Sequence, residues 1–366
     1  MTNLPVNTLV AIAGLLAGIV FGATAQKTNF CTMGAISDAV FMDDYRRLRA
    51  WLLAIAIAIL GSQALHGLGI VDLNKSIYLM PSLGWLGAIL GGLMFGFGMT
   101  MTGGCGNKTL VRFGAGNLKS IVVFLFLAIS AYMTLRGLFG IVRIEAIEAT
   151  NLNLMKRGFA AQGLPDLLTK LGLAAGAARW LAVAAVAGGL LIYCLRDADF
   201  RTSPVHVLSG LIVGTLVPAG WLITGVLGAD DFNPVSLASF TFVAPTGEAL
   251  QYLMTFTGAT VNFGIAAVGG VILGAFLMAR ATGTFKLEVF VDADDFLRHM
   301  AGGVLMGAGG VMALGCTIGQ GITGMSTLAM GSIIALASIG AGGVLGMKYL
   351  EEGSLSGALR AMVARP

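Results

Sequence analysis

The chain has 366 residues, of which 57% are hydrophobic and only 11% charged, with a mean hydropathy of +0.88 and a formal net charge of +4. Soluble domains carry about 25% charged residues, so this composition excludes an ordinary soluble domain, and length counts membrane spans. The positive balance is small and dispersed and gives no argument for a nucleic-acid partner.

Apolar runs long enough to cross a bilayer, about 20 residues each, fall at 8–25, 50–70, 84–101, 120–138, 178–195, 205–227, 258–279, 299–314 and 326–347. The expected fold is an all-α polytopic membrane protein with about nine transmembrane helices. No Lys or Arg precedes the first run, so it lacks the basic start of a cleavable signal peptide and reads as a retained span. Glycine, at 54 residues, is about twice its usual share, as expected where helix backbones approach closely in lipid. Three glycine-rich segments, 26–38, 102–116 and 315–326, are too apolar for surface loops and too broken for plain spans. Non-helical backbone at membrane depth is tolerated only inside protein or against a water-filled cavity, so all three are expected to be re-entrant.

With the N-terminus outside, fifteen cations fall on the cytoplasmic face against seven outside, which predicts a cytoplasmic C-terminus. The outer set includes six cations on the 136–179 connection, where a short amphipathic helix on the membrane surface is one expectation. Internal repeats sharpen the organisation. Gly14 and Gly18 are echoed by Gly210 and Gly214 at an offset of 196. The stretch 91–105 (GGLMFGFGMTMTGGC) aligns without gaps on 302–316 (GGVLMGAGGVMALGC) at an offset of 211, with seven identities that include Cys105 and Cys316. The expected units are a first repeat at 1–140 (four spans, two re-entrant segments), a connecting loop and linker span at 141–204, a second repeat of four spans at 205–350, and a cytoplasmic tail at 351–366. One linker span makes the second repeat enter from the opposite face, which is the inverted arrangement of secondary transporters with a site near the midplane.

Four cysteines are present, none in a C-x-x-C pair or with zinc spacing. Cys31, Cys105 and Cys316 each sit on a broken segment, whereas Cys194 ends the linker span and reads as a bystander. The offset of 196 puts Leu227, near WLITG, where a counterpart of Cys31 would be. A thiol is a weak donor and a soft, polarizable surface, suited to a soft sulfur-containing anion, and weak sites in series suit passage. Lys27, Lys108 and Arg112 flank the inner thiols, either attracting an anion or anchoring to lipid headgroups. Asn107 and Gln320 either donate to substrate oxygens or tie down re-entrant backbone; Trp221, Thr224 and Asn262 are further candidates. The paired acids Asp43/Asp44, Asp230/Asp231 and Asp294/Asp295 read as solvated positions at span boundaries. No metal or other cofactor is expected.

NFCTMGA, GGCGNKTLVRFGAG and GCTIGQGITGMS together resemble the signatures of the YeeE/YedE membrane family, also called the sulphur-transport domain family, along nearly the whole chain. The resemblance implies an hourglass-shaped bacterial inner-membrane importer of thiosulfate, with nine spans and short helices dipping to the centre. It implies a relay through Cys31, Cys105 and Cys316, and a small cytoplasmic TusA-like sulfur-carrier protein as partner. Some relatives are linked to selenium or other sulfur compounds. The polar turns give way to TIGQGITGMS here, so the outer mouth is expected to lack a fixed cation. The rival expectations are a membrane-embedded sulfurtransferase forming a cysteine persulfide, and a soft-metal carrier such as one for Cu(I).

Overall fold

The computed structural model describes residues 5–230 and 234–363. Asp231 and Arg365, used in the sequence reading, lie outside the described residues. The chain is a helical bundle. Its first half comprises α1 (Val6–Thr28), α2 (Thr32–Phe41), α3 (Arg46–Gly67), α4 (Trp85–Met101), α5 (Gly106–Gly114) and α6 (Leu118–Arg136). A connection holds α7 (Leu138–Val142), α8 (Leu164–Lys170), α9 (Ala175–Val183), α10 (Gly189–Leu195) and α11 (Ala198–Arg201), with a π-helical turn (Ala184–Gly188) joining α9 to α10. The second half comprises α12 (Pro204–Leu222), α13 (Ala244–Met254), α14 (Phe263–Ala281), α15 (Ala293–Met312) and α16 (Met330–Glu352), followed by α17 (Leu355–Val363).

Among the described residues, eight helical segments are long and apolar enough to cross a membrane. The protein is therefore an all-α, multi-pass membrane protein. The remaining expected span corresponds to α15, which has 20 residues and carries Asp294 and Asp295 in its first turn. It packs between α4 and α6. The lipid-facing and buried sides of α1 show why a helix can be apolar all round. Ile12, Leu16 and Val20 form an exposed stripe, whereas Val10, Gly14, Gly18, Phe21 and Ala25 are buried. Lipid accepts the first set, and helix packing needs the small residues of the second.

The glycine repeats occupy equivalent crossings. A Cβ on Gly18 of α1 would lie 2.5 Å from the Ala267 carbonyl of α14, and one on Gly214 of α12 would lie 2.8 Å from the Ala54 carbonyl of α3. Likewise Gly96 of α4 abuts Ile339 of α16, and Gly307 of α15 abuts Leu127 of α6, each leaving less than 2.5 Å for a Cβ. The two aligned helices α4 and α15 also cross each other in opposite directions, with Gly91 against Gly309 and Gly98 against Gly302. In every case backbone meets backbone, because no side chain intervenes.

Two expectations need correction. No counterpart of the Cys31 segment lies at WLITG: Trp221 remains inside α12 and Thr224 in its π-helical extension (Ile223–Leu227). The packing role of α2 against α16 is taken in the second half by α13 against α6, reached through an extended run that buries Phe240 and Phe242. The 136–179 connection does not lie free as an amphipathic helix. Leu152–Asn153 pairs antiparallel with Ser82–Leu83, Leu164 N–H donates to the Leu328 carbonyl, and Met330 N–H donates to the Gln162 carbonyl.

Asp295 is not a solvated loop acid. Its carboxylate accepts from Lys119 at 2.6 Å and Arg298 at 2.9 Å, tying the starts of α6 and α15 together. Lys119, then Arg298, holds its carboxyl down to about 2, against about 3.9 for a free aspartate. A depressed acid contributes stability that is present above its unfolded pKa and lost as pH falls through the folded value. Asp295→Asn should therefore destabilise the protein at neutral pH by about 1–2 kcal/mol. The melting-temperature gap to the parent should close between roughly pH 4 and pH 2.

Candidate functional site

Each of the three broken segments carries one cysteine. The first break follows α1, where Asn29 adopts left-handed backbone (φ 57°) and Cys31 becomes the N-cap of α2. Arg47 holds this turn by donating to the Asn29 carbonyl (3.0 Å) and to Asp38 (2.9 Å). The second follows α4, where Gly103 (φ 67°) supplies a conformation that favours glycine and Cys105 becomes the N-cap of α5. The third follows α15, where Leu314 and Leu328, both left-handed at φ 58° and 59°, bracket the turn that carries Cys316. Such backbone in a branched residue costs about 1 kcal/mol or more, and it concentrates at functional sites. A π-helix (Gly319–Gly324) follows Cys316, and the Gly319 N–H donates to the Cys316 thiol at 3.4 Å.

All three thiols are buried in one continuous cluster. Cys31 Sγ and Cys105 Sγ stand 3.9 Å apart, so the N-termini of α2 and α5 converge on one point. Free amides and the helix dipole make such termini favourable to anions. Thr317, next in sequence to Cys316, faces Cys105 and so links the third thiol to the pair. Around Cys316 stand Tyr78 and Thr241: a Cβ on Gly319 would meet the Thr241 hydroxyl at 2.4 Å and the Tyr78 hydroxyl at 3.6 Å.

The supporting residues separate clearly. Asn107 is fully buried and its Oδ1 accepts from the Cys105 thiol at 2.6 Å. Lys108 is only 8% exposed and donates to Asn29 Oδ1 at 2.5 Å, so it is not a headgroup anchor. It opens with Lys27, Arg112, Lys286 and Glu288 onto a vestibule of about 420 Å³. Four cations against one carboxylate make this vestibule attractive to anions. Gln320 is held at both ends of its amide: its Nε2 donates to the Ala313 carbonyl and its Oε1 accepts from Ser332. It ties down the broken backbone. Trp221 Nε1 donates to Ser326 Oγ at 3.3 Å, and its ring meets Tyr78 edge-on. Asn262 caps α14 and binds Glu248, and belongs to helix capping rather than to the thiol cluster. Cys194 lies in a separate cluster with Ala50, Leu53 and Phe200.

At the other side of Gln320 a small cavity of about 50 Å³ is lined by Tyr78, Arg143, Glu148, Gln162 and Ser332. Arg143, paired with Glu148, is a cation that the sequence reading did not place here. It comes from the connection, distant in sequence from every cysteine motif. Tyr78, Thr241 and Lys286 were missed for the same reason, whereas Asn29 opens the NFCTMGA motif and was within reach of the sequence. Thr32 and Thr317 were detectable, because Cys-Thr occurs at both Cys31 and Cys316.

Broken helices, buried thiols at their starts and a cationic vestibule define a polytopic carrier of anions rather than a structural bundle. The sulphur transport family model matches residues 27–345, and the chain belongs to that family. It is thus a transporter and not an enzyme. It is 27% identical over 321 residues to the thiosulfate transporter TsuA of Escherichia coli K12, covering 85% of this chain and 86% of that protein. It is 26% identical over 329 residues to the thiosulfate transporter TsuA of Spirochaeta thermophila, covering 87% and 92%. A shorter likeness, 27% identity over 100 residues, joins it to the probable transporter YedE of E. coli, covering 27% of this chain and 23% of that one.

Proposed function

We propose that this protein imports thiosulfate across the bacterial inner membrane, passing it from Cys316 to Cys105 to Cys31. The observation that carries the reading is the gathering of three buried thiols at the starts of broken helices, two of them 3.9 Å apart. Thiosulfate has a soft terminal sulfur that accepts weak S–H donation, and oxygens that accept from amides. Weak sites in series attract the anion without trapping it. The names of the relatives support the same substrate.

In this reading the N-terminus is outside and the C-terminus cytoplasmic, as the distribution of cations favours. The Arg143 cavity is then the outer mouth and the Lys108 vestibule the exit, where a small TusA-like sulfur carrier docks to receive the product. The halves 1–140 and 205–350 form an inverted repeat; supporting this are the equivalent glycine crossings and the opposed run of α4 and α15. The test is uptake of radiolabelled thiosulfate by proteoliposomes containing the purified protein. Uptake above that of empty liposomes, reduced by excess unlabelled thiosulfate but not by sulfate or selenite, is the expected result. Uptake no greater than that of empty liposomes overturns the reading.

A further inference from the structure

Within two residues of each thiol lies a buried polar group that no nitrogen or oxygen of the protein satisfies. Among the described residues, nine buried side-chain nitrogen and oxygen atoms have no hydrogen-bonding partner in the protein, and three of them are Thr32 Oγ1, Asn107 Nδ2 and Thr317 Oγ1. Thr32 follows Cys31 and is 5% exposed, while Thr317 follows Cys316 and, like Asn107, is fully buried. Asn107 binds Cys105 through its Oδ1, which turns its amide nitrogen into the unused side. Thr317 reaches from the Cys316 turn to Cys105. Each thiol thus has an unspent donor within two residues of it in sequence.

Leaving a donor unpaired in a dry interior costs free energy, and native proteins rarely do so without cause. We propose that Thr32, Asn107 and Thr317 form a hydrogen-bonding ladder for the oxygen atoms of a tetrahedral sulfur oxyanion, while the thiols contact its sulfur. Two kinds of donor then read two ends of the same ion. Selectivity arises because an anion lacking oxygens leaves the ladder unpaired, and a site built to hydrogen-bond its ligand discriminates strongly against one that cannot. The inference rests on the transport reading above and adds residues that determine specificity.

The test uses the full chain in proteoliposomes, with thiosulfate as the probe. Thr32→Val and Thr317→Val keep the side-chain shape and remove the hydroxyl, whereas Thr32→Ser and Thr317→Ser restore it. Each valine variant should lower kcat/KM for thiosulfate about tenfold, equivalent to one lost hydrogen bond to an anion, and each serine variant should recover most of that loss. Monodisperse elution and an unchanged melting temperature establish that the variants are folded. Valine variants that transport like the parent overturn the ladder, as do serine variants that fail as badly as valine. A parent that takes up no thiosulfate overturns the transport reading itself, and the ladder with it.

Discussion

Cys31→Ala, Cys105→Ala and Cys316→Ala should each abolish growth on thiosulfate as sole sulfur source in a host lacking its own thiosulfate importer, while Cys194→Ala should grow like the parent. The reason is serial. On the proposed relay the first three thiols, buried in one cluster with Cys31 and Cys105 3.9 Å apart, act in sequence, and a missing contact interrupts passage. Loss of even a single weak contact at the narrowest point, about 1.4 kcal/mol, slows passage roughly tenfold. Alanine also leaves Asn107 Oδ1 without the donor that Cys105 supplies. Cys194 instead donates to the Arg49 carbonyl at 3.3 Å in a separate cluster, so its removal costs one weak hydrogen bond and some packing away from the other thiols. Uptake by all three track variants at the parent rate would end the relay account.

Gly96→Val and its counterpart Gly307→Val should both prevent recovery of a monodisperse protein from detergent, whereas Gly189→Ala should be tolerated. At Gly96 and Gly307 a single added carbon already overlaps a carbonyl of the facing helix, and the obstacle is backbone that cannot rotate away. Overpacking costs about 1–3 kcal/mol where side chains can move, and more where two helices must separate. Around Gly189 nothing lies within 4 Å of the added carbon. Size-exclusion profiles and melting curves of the three variants distinguish the cases. A well-behaved Gly96→Val protein would mean that α4 and α16 do not pack at this crossing.

Much of this arrangement was legible before any coordinates. The alignment of 91–105 on 302–316 foretold that Gly96 and Gly307 play one role, and they do, against different partners. The cysteine-bearing breaks were equally visible, since Cys31, Cys105 and Cys316 all fall where apolar runs give way to glycine. What failed was extrapolation of the 196 offset past α12. The second half inserts an extended run before α13, so register is lost, and Leu227, which the offset sets against Cys31, ends a helical extension instead of following a break. Lys108 could not be decided either. A lysine near a helix end in a membrane protein is as compatible with snorkelling as with burial, and only its contact with Asn29, 79 positions away, separates the two.

The sequence by itself determined that the chain lives in lipid, that its helices touch through glycine, and which three cysteines fall at helix breaks, because hydropathy, small residues and breaks are local properties. Only the tertiary structure decided what stands beside those cysteines. Arg143 pairs with Glu148 next to Gln320, Lys286 joins Lys108 at the vestibule, and Thr317 meets Cys105. The Arg143–Glu148 pair is itself local, but its meeting with Gln320, like the other two contacts, joins residues remote in sequence. Local pattern carries no record of such a meeting.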